Sequence, residues 1–335
     1  MRPMVENSSP TLVRPKLSLT AEERQYITQL AIAVKPDPKS DPEAFCSAAR
    51  SAGANLPERV RESLQLFARS GSSTGTLLIE GLAVGPVPST PVDNTYHVGE
   101  TTMLARAQAM ISETIGHLVA YEAEGFGRLF QDMVPTRQAA KSQTSLSSLT
   151  ELELHTEQAF SALRPDYLSM ACLRGDLSAT TYTLTARQVG AFTPAEYLAT
   201  LWRDRWMTGV DESFRVGGHD FEAGEVRGPM PILQGAPDDP FIVLDQDLMV
   251  STTPAAKAAF ETVLNVYRAY RDKHVLKPGD LLLVDNNRTV HGRSPFRPRY
   301  DGSDRFVIRA FITNDLTKSR YARPSNGRTI DARYS

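Results

Sequence analysis

A histidine and a glutamate stand two positions apart, as His155 and Glu157, in the segment LELHTE. Alternate residues of a strand project to one side of a sheet, so both side chains would point into the core or into a cavity. Such a pair alone is more often exposed or hydrogen-bonded than functional. A second histidine, His291, follows the strand-like run LLLVD and a DNN turn. Two imidazoles and one carboxylate make a facial ligand set for non-haem iron, which leaves coordination positions open.

Two arginines, Arg305 and Arg309, lie four residues apart in the segment RFVIRAF. In a strand, an even offset keeps both guanidinium groups on the same face. Burying two such charges is costly unless carboxylates pair with them. Acidic side chains of the chain could supply these partners, which is the ordinary outcome for an isolated arginine. A dicarboxylic cosubstrate could also supply one, because arginine binds carboxylates through two parallel hydrogen bonds.

Two aspartates, Asp245 and Asp247, have the same spacing in FIVLDQDLM. If the segment stays extended, both carboxylates face the same way and repel each other. The ammonium group of a ligand would relieve that repulsion. An ordinary solvated acidic turn explains the same residues without any ligand.

The first part of the chain has mainly helical patterns. We expect a flexible arm at residues 1–18 and mainly helical structure at residues 19–127, with one short strand in GTLLIEGLAV. In SLTAEERQYITQLAIAV a Ser/Thr cap precedes a Glu, as at helix starts. The segment TTMLARAQAMISETIGHLVAYEAEG predicts a long helix that Gly125 ends.

From about residue 128 the pattern changes to short apolar or alternating runs bounded by Gly, Pro, Asp and Asn. Such runs favour a double-sheet architecture such as a jelly roll. Two segments that open with Thr-Pro, TPAEYLATLWRD and TPAAKAAFETVLNVYRAYRDKH, predict inserted helices. The predicted fold class is therefore α+β with a mainly β core, a double-stranded β-helix (jelly roll) with a helical N-terminal region and inserted helices. We expect a single domain over residues 19–335, with the jelly-roll core at 128–335.

The composition indicates a small-molecule partner. The 335 residues carry 37 Lys and Arg against 39 Asp and Glu, a net charge of −2, so no global positive field recruits nucleic acid or an anionic membrane. Two cysteines do not make a disulfide framework and fit a reducing compartment. No signal peptide or membrane span is predicted. We expect a cytoplasmic protein, and its helical part could form the interface of a homo-oligomer.

The predicted metal site resembles that of a known family. The segments LELHTEQAFSALRPDYLSMACLRGD and LLLVDNNRTVHGRSPFRPRYDGSDRFVIRAF are similar to those of clavaminate-synthase-like iron(II)/2-oxoglutarate-dependent oxygenases. The similarity runs from about residue 77 to about residue 324. Within that family, AYEAEGFGRLFQDMVP, KSQTSLSS and DDPFIVLDQDLM most resemble the free L-lysine hydroxylases.

The resemblance implies which residues hold the metal and the cosubstrate. His155, Glu157 and His291 match the iron ligands of the family. Arg305 matches the arginine that holds the distal carboxylate of 2-oxoglutarate. A threonine also contacts 2-oxoglutarate, and the matching position is Thr183, with nearby Thr181 as the alternative.

The resemblance also implies how a substrate is held. Arg309 matches the arginine that pairs with the α-carboxylate, and Glu124 takes the position of an acid or amide that holds the α-amino group. Ser145 falls in a loop that approaches the same end of the substrate. Asp245 and Asp247 match an Asp-x-Asp that receives a terminal amine or guanidinium.

The implied activity is hydroxylation of a free basic L-amino acid by a 2-oxoglutarate-dependent dioxygenase that uses Fe(II), 2-oxoglutarate and O2. L-Lysine at C3 is the first expectation, because a head held near the iron favours nearby carbons, and C4 stays open. The alternative substrates are arginine, ornithine or a carrier-bound amino acid. In another class, the same ligands could hold zinc in a hydrolase or line a non-catalytic ligand-binding β barrel.

Overall fold

The computed structural model describes residues 16–211 and 226–334. Within these ranges, the α-helices are α1 (Ala21–Ala33), α2 (Pro42–Gly53), α3 (Glu58–Ser70), α4 (Met103–Ile115), α5 (Ala186–Phe192), α6 (Ala195–Leu201) and α7 (Pro254–Tyr270). The strands are β1 (Lys16–Ser18), β2 (Thr76–Glu80), β3 (His117–Tyr121), β4 (Phe130–Met133), β5 (Leu152–His155), β6 (Tyr167–Arg174), β7 (Thr180–Thr185), β8 (Trp206–Gly209), β9 (Val226–Met230), β10 (Leu233–Ala236), β11 (Asp239–Ile242), β12 (Met249–Ser251), β13 (Asp272–Val275), β14 (Leu281–Asp285), β15 (Thr289–Arg293), β16 (Phe306–Thr313) and β17 (Thr329–Ile330).

Two sheets dominate the described part of the chain. The larger has eight strands in the order β1-β2-β14-β6-β16-β3-β17, with β4 also paired to β16. The smaller is antiparallel, with the order β13-β7-β15-β5. Two further small sheets have the strand orders β12-β8-β9 and β10-β11.

Helices α1 to α4 cover the larger sheet. Helix α1 starts at a capping box, in which the Glu23 amide donates to Oγ1 of Thr20 and the Thr20 amide donates to Glu23. Apolar side chains of these helices, such as Phe45, Leu64 and Met110, are fully buried in one cluster with residues of β2, β6, β14 and β16. This burial holds the helical layer against the sheet.

Helices α5 to α7 pack in a second apolar cluster that includes Leu154 of β5, Leu184 of β7 and Val290 of β15. The smaller sheet therefore has its own helical support. Helix α5 was not predicted. It begins within the run TYTLTARQV, where Thr185 and Gln188 form a capping box that ends the strand and starts the helix.

The predicted long helix before Gly125 is wrong in its second half. Helix α4 ends at Ile115, and the following residues form β3, which pairs with β16. Four of the five residues of β3 are buried. A strand buried on both faces is a continuous apolar run, which periodicity cannot distinguish from a buried helix.

The predicted arm also contributes to the sheet. Lys16–Ser18 form β1, which pairs in parallel with β2. Strands β2 and β3 come from the part of the sequence with mainly helical patterns, yet they lie in the same sheet as the later strands. In the described part of the chain, no helix has both the length and the apolar character needed to cross a bilayer.

Candidate active site

Strand pairing in the smaller sheet brings the two histidines together. His155, the last residue of β5, is the register partner of His291 on β15, and their ring centroids are 4.2 Å apart. Glu157 lies two residues beyond the end of β5 and still faces both rings, with Oε2 at 3.9 Å from Nε2 of His155 and 3.5 Å from Nε2 of His291. One ligand atom from each residue lies within 4.8 Å of the others.

Backbone contacts orient these side chains. Nδ1 of His155 donates to the carbonyl of Glu153 at 2.8 Å, which leaves Nε2 of a neutral ring as an electron-pair donor. Burial and the neighbouring His155 lower the pKa of His291 to about 4, so this ring is neutral at physiological pH. The Glu157 amide donates to Oδ1 of Asn286 at 2.9 Å, which ties the loop after β5 to the turn between β14 and β15.

The two carboxylate oxygens of Glu157 have different surroundings. Oε1 accepts a hydrogen bond from Nη1 of Arg309 at 2.8 Å, while Oε2 is buried and has no hydrogen-bond partner among the described residues. Burial raises the pKa of Glu157, but Arg309 and the two imidazoles outweigh it and hold that pKa at about 2. An ionised carboxylate oxygen that faces two imidazole nitrogens fits a divalent iron ion.

A cavity of about 220 Å³ opens beside the cluster, and residues of both large sheets line it. Ten of the eleven residues predicted from the sequence are in its lining: His155, Glu157, His291, Arg305, Arg309, Thr181, Glu124, Ser145, Asp245 and Asp247. Thr183 is buried but is not in the lining, and its hydroxyl lies 3.5 Å from Nε2 of His274. Of the two candidate threonines, the geometry therefore favours Thr181.

Arg305 is a buried cation that lines the cavity. It lies just before β16, and the register shift that follows it still leaves both Arg305 and Arg309 on the cavity. Its exposure is 4%, and no carboxylate of the described residues forms a salt bridge with it. Burial accordingly lowers its pKa. A ligand carboxylate would give this guanidinium the partner that the protein lacks.

Arg309 and Glu124 form an ion pair at the cavity wall. Nη2 of Arg309 donates to Oε1 of Glu124, and the other oxygen of Glu124 accepts from Nε2 of Gln158 at 2.9 Å. Burial raises the pKa of Glu124 to about 7, although Arg309 opposes this shift. A guanidinium and a carboxyl group, the two partners that an amino-acid head requires, thus lie side by side on the cavity wall.

The segment with the two aspartates is a turn and not an extended strand, so the condition for the predicted same-facing carboxylates is not met. Oδ1 of Asp245 accepts from the amides of Asp247, at 3.0 Å, and Leu248, at 2.9 Å. Aspartate often closes its own turn in this way. Both carboxylates still line the cavity, and burial raises the pKa of Asp245 to about 6.

Arg293, for which we made no prediction from the sequence, also lines the cavity. It is 3% exposed and donates to the carbonyls of Ser145, at 3.1 Å, and Ser147, at 2.7 Å. Burial and the nearby Arg305 lower its pKa to about 9. Arg293 holds the loop that carries Ser145, and its position two residues after His291 on β15 is a signal that could have identified it.

Comparisons with known proteins show which family the chain resembles. Residues 233–311 match the family described as taurine catabolism dioxygenase TauD, TfdA family. Over 320 residues the chain is 50% identical to an L-lysine 3-hydroxylase of Catenulispora acidiphila, which covers 95% of this chain and 89% of that protein. It is 33% identical to clavaminate synthase 2 of Streptomyces clavuligerus, with 87% and 90% covered.

A solved structure has a similar fold over most of this chain. It is a crystal structure of asparagine oxygenase in complex with Fe(II), 2S,3S-3-hydroxyasparagine and succinate. The TM-score is 0.89 at 31% sequence identity, and the superposition covers 95% of this chain and 99% of that one.

Proposed function

We propose, since this chain belongs to the clavaminate-synthase-like family of iron(II)/2-oxoglutarate-dependent oxygenases, that it hydroxylates free L-lysine at C3. The chain is a 2-oxoglutarate-dependent dioxygenase, and Fe(II), 2-oxoglutarate and O2 are its cofactor and cosubstrates. The observation that carries the choice of lysine is the 50% identity to an L-lysine 3-hydroxylase over 95% of the chain. The carboxylates of Asp245 and Asp247 on the cavity agree with a basic side chain.

We assign the metal to Nε2 of His155, Nε2 of His291 and Oε2 of Glu157. When bound, iron with 2-oxoglutarate and O2 supplies the oxidant for an unactivated C–H bond, and the coproducts are succinate and CO2. The protein itself has to position the reactants and limit water around them. No side chain is required to remove a proton from the substrate.

Arg305 and Thr181 are proposed to hold the distal carboxylate of 2-oxoglutarate. The buried guanidinium of Arg305 would gain a bidentate partner, and the hydroxyl of Thr181 on β7 would add a further hydrogen bond. Thr183 is the second choice, because its hydroxyl lies near His274 instead of the cavity.

The head of the amino acid is proposed to bind between Arg309 and Glu124. The α-carboxylate would pair with Arg309 and the α-ammonium with Glu124, so the two ends of the head replace the ion pair that these residues make with each other. Ser145, held by Arg293, lies on the same cavity. A head fixed beside the Arg309–Glu157 contact is close to the metal ligands, which supports reaction at C3 ahead of C4.

The tail of the substrate is proposed to meet Asp245 and Asp247. Arginine and ornithine carry cations that could reach the same carboxylates, so they are the next candidates. A carrier-bound amino acid fits less well, because its α-carboxylate would no longer be free to pair with Arg309.

The two large sheets that enclose this site support the predicted jelly roll, with residues 19–335 as one domain.

A panel of the twenty proteinogenic amino acids and ornithine, scored by succinate release with Fe(II) and 2-oxoglutarate, tests the proposal. We expect the largest signal with L-lysine, and NMR of the product should place the hydroxyl at C3. A hydroxyl at C5 would contradict the positional proposal. Absence of any substrate-dependent succinate, together with no visible band from anaerobic Fe(II) and 2-oxoglutarate, would favour the zinc hydrolase or the non-catalytic barrel.

A further inference from the structure

Two glutamines on the cavity each leave one buried polar atom without a partner. Gln131, on β4, and Gln158, directly after Glu157, are 5% and 6% exposed and line the cavity. Nε2 of Gln131 and Oε1 of Gln158 make no hydrogen bond to any described residue. Such atoms are uncommon in folded proteins, because each has lost water without gaining a protein partner. Because both residues line one cavity, a ligand bound there is a candidate partner for each free atom.

The partners of each amide fix its orientation. Oε1 of Gln131 accepts from Nε of Arg309 at 3.2 Å and from Nη2 of the same residue. A guanidinium only donates, so the amide oxygen must face it and the NH2 group must face away. Nε2 of Gln158 donates to Glu124 at 2.9 Å. This bond uses the NH2 group, so the free atom of Gln158 is its oxygen.

Gln131, Arg309, Glu124 and Gln158 therefore form one continuous chain of hydrogen bonds. At the Arg309 end, the unused group is a donor, Nε2 of Gln131. At the Glu124 end, the unused group is an acceptor, Oε1 of Gln158. The head of a free amino acid has the complementary order, because its carboxylate accepts hydrogen bonds and its ammonium donates them.

Gly125 packs closely against the amide of Gln131. The backbone of Gly125 has a φ of +61°, and a Cβ there would lie 2.4 Å from both Cδ and Nε2 of Gln131. Only glycine allows such close packing of the loop on the amide. The amide is thus oriented by Arg309 on one side and packed against Gly125 on another before any ligand arrives.

We infer that Gln131 and Gln158 determine specificity for an unblocked amino-acid head. Nε2 of Gln131 donates to the α-carboxylate, and Oε1 of Gln158 accepts from the α-ammonium. Each glutamine also holds its charged neighbour, Arg309 or Glu124, when the head separates that ion pair. The inference rests on the proposed function, because it takes a free amino acid as the substrate.

Equilibrium binding to the protein loaded with Fe(II) and 2-oxoglutarate, without oxygen, tests the two contacts separately. The ligands are L-lysine, 1,5-diaminopentane, which lacks the carboxylate, and 6-aminohexanoate, which lacks the α-ammonium. Gln131→Glu keeps the oxygen that faces Arg309 and replaces the free donor by an acceptor. This variant should bind L-lysine and 6-aminohexanoate about tenfold or more weakly than the unmodified protein does, and its affinity for 1,5-diaminopentane should not fall.

Gln158→Met removes the free acceptor with little change in size. This variant should bind L-lysine and 1,5-diaminopentane about tenfold more weakly, and its affinity for 6-aminohexanoate should stay within about twofold of the unmodified protein's. Gln25→Glu, at an exposed position of α1, is the control for added charge and should change none of the three. Thermal melting of each variant checks that the fold is intact.

If each variant loses affinity only for the ligands that carry its proposed head group, the glutamines determine specificity and do not merely maintain the shape of the cavity. Equal weakening of all three ligands in both variants would overturn the inference, because it would mean that the glutamines only maintain the shape of the site. Failure of the unmodified protein to bind L-lysine would instead overturn the proposed function.

Discussion

Arg309 donates from Nη1 to Oε1 of Glu157 at 2.8 Å, so the two oxygens of that carboxylate have different surroundings. Oε2 is left buried and unpaired between the imidazoles of His155 and His291. The same guanidinium also contacts Glu124. One side chain therefore joins the proposed metal ligand to the residue proposed to hold the substrate's α-amino group.

The proposed ligand set can be tested by removing single donors. His155→Ala or Glu157→Ala should abolish turnover and weaken Fe(II) binding by about a hundredfold or more, since even outer contacts of metal ligands contribute 10- to 100-fold. The fold should persist, because Arg309 keeps its contacts with Glu124 and Gln131. Equilibrium dialysis with Fe(II) and thermal melting measure both effects.

His117→Ala is the matched control for that experiment. This histidine lies on β3, next to Arg50 and outside the cluster of His155, Glu157 and His291, so its loss should leave Fe(II) binding unchanged. Turnover that survives in both ligand variants would remove His155 and Glu157 from the ligand set.

Asp245 should matter for a charged substrate tail and not for an uncharged one. Asp245→Asn keeps Oδ1, which accepts from the amides of Asp247 and Leu248, so the turn is preserved while the charge is lost. We expect kcat/KM for L-lysine to fall about 10- to 100-fold, as for a lost hydrogen bond to a charged group, and the value for L-norleucine to change little. Steady-state kinetics on the two substrates give the comparison. An equal loss on both would contradict the assignment of Asp245 to the tail.

The proximity of His155, Glu157 and His291 was predictable because the three residues lie on, or directly after, paired strands. The spacing of His155 and Glu157 put both side chains on one side, and this holds although β5 ends at His155. The hairpin that presents His291 was marked by the turn residues after β14. Conversely, the apolar run at β3 fits a helix and a doubly buried strand equally well, so the prediction extended the helix past Ile115.

The features that we did not predict from the sequence belong to uncharged residues or to a local turn. Gln131 and Gln158 have no informative spacing, and their significance comes from Arg309 and Glu124, which lie far away in the sequence. The turn at Asp245 depends on that side chain accepting its own backbone amides, which an i, i+2 pattern does not indicate. Such features depend on partners that only the folded chain brings together.

Asp132 should make stability depend on pH. Its side chain is 1% exposed and accepts the amides of Val98 and Gly99, and burial, which those bonds oppose only in part, raises its pKa from 3.8 to about 6. The folded state therefore binds this proton more tightly than the unfolded chain does. The resulting stabilisation is complete below pH 4 and is lost as the pH rises to 6.

The measurement is chemical unfolding of the unmodified protein and of Asp132→Asn, which cannot titrate. Between pH 4 and pH 6, the unfolding free energy of the unmodified protein should fall relative to that of Asp132→Asn by about 2 to 3 kcal/mol. The Asn variant loses one acceptor at every pH, so the slope of the difference is the relevant quantity and not its level. A difference that stays constant over this range would show that Asp132 ionises as freely in the folded protein as in the unfolded chain.

Arg305 should have opposite effects on cosubstrate binding and on the stability of the protein without cosubstrate. Arg305→Met removes the guanidinium proposed to bind 2-oxoglutarate, and the dissociation constant for 2-oxoglutarate should rise about a hundredfold or more, since one partner of a buried charge pair contributes about 3 kcal/mol or more. The same change replaces a buried charge, unpaired among the described residues, by an apolar side chain of similar length. Without 2-oxoglutarate, the variant should therefore unfold at an equal or higher temperature.

Thermal melting with and without 2-oxoglutarate, in the presence of Fe(II) and the absence of oxygen, measures both effects. The cosubstrate should raise the melting temperature of the unmodified protein, because it binds only the folded state, and should leave that of Arg305→Met unchanged. Arg297→Met, an exposed arginine eight residues earlier, should behave like the unmodified protein. If 2-oxoglutarate stabilises Arg305→Met as strongly as the unmodified protein, another cation binds its distal carboxylate, and Arg293 on β15 is then the buried guanidinium to replace next.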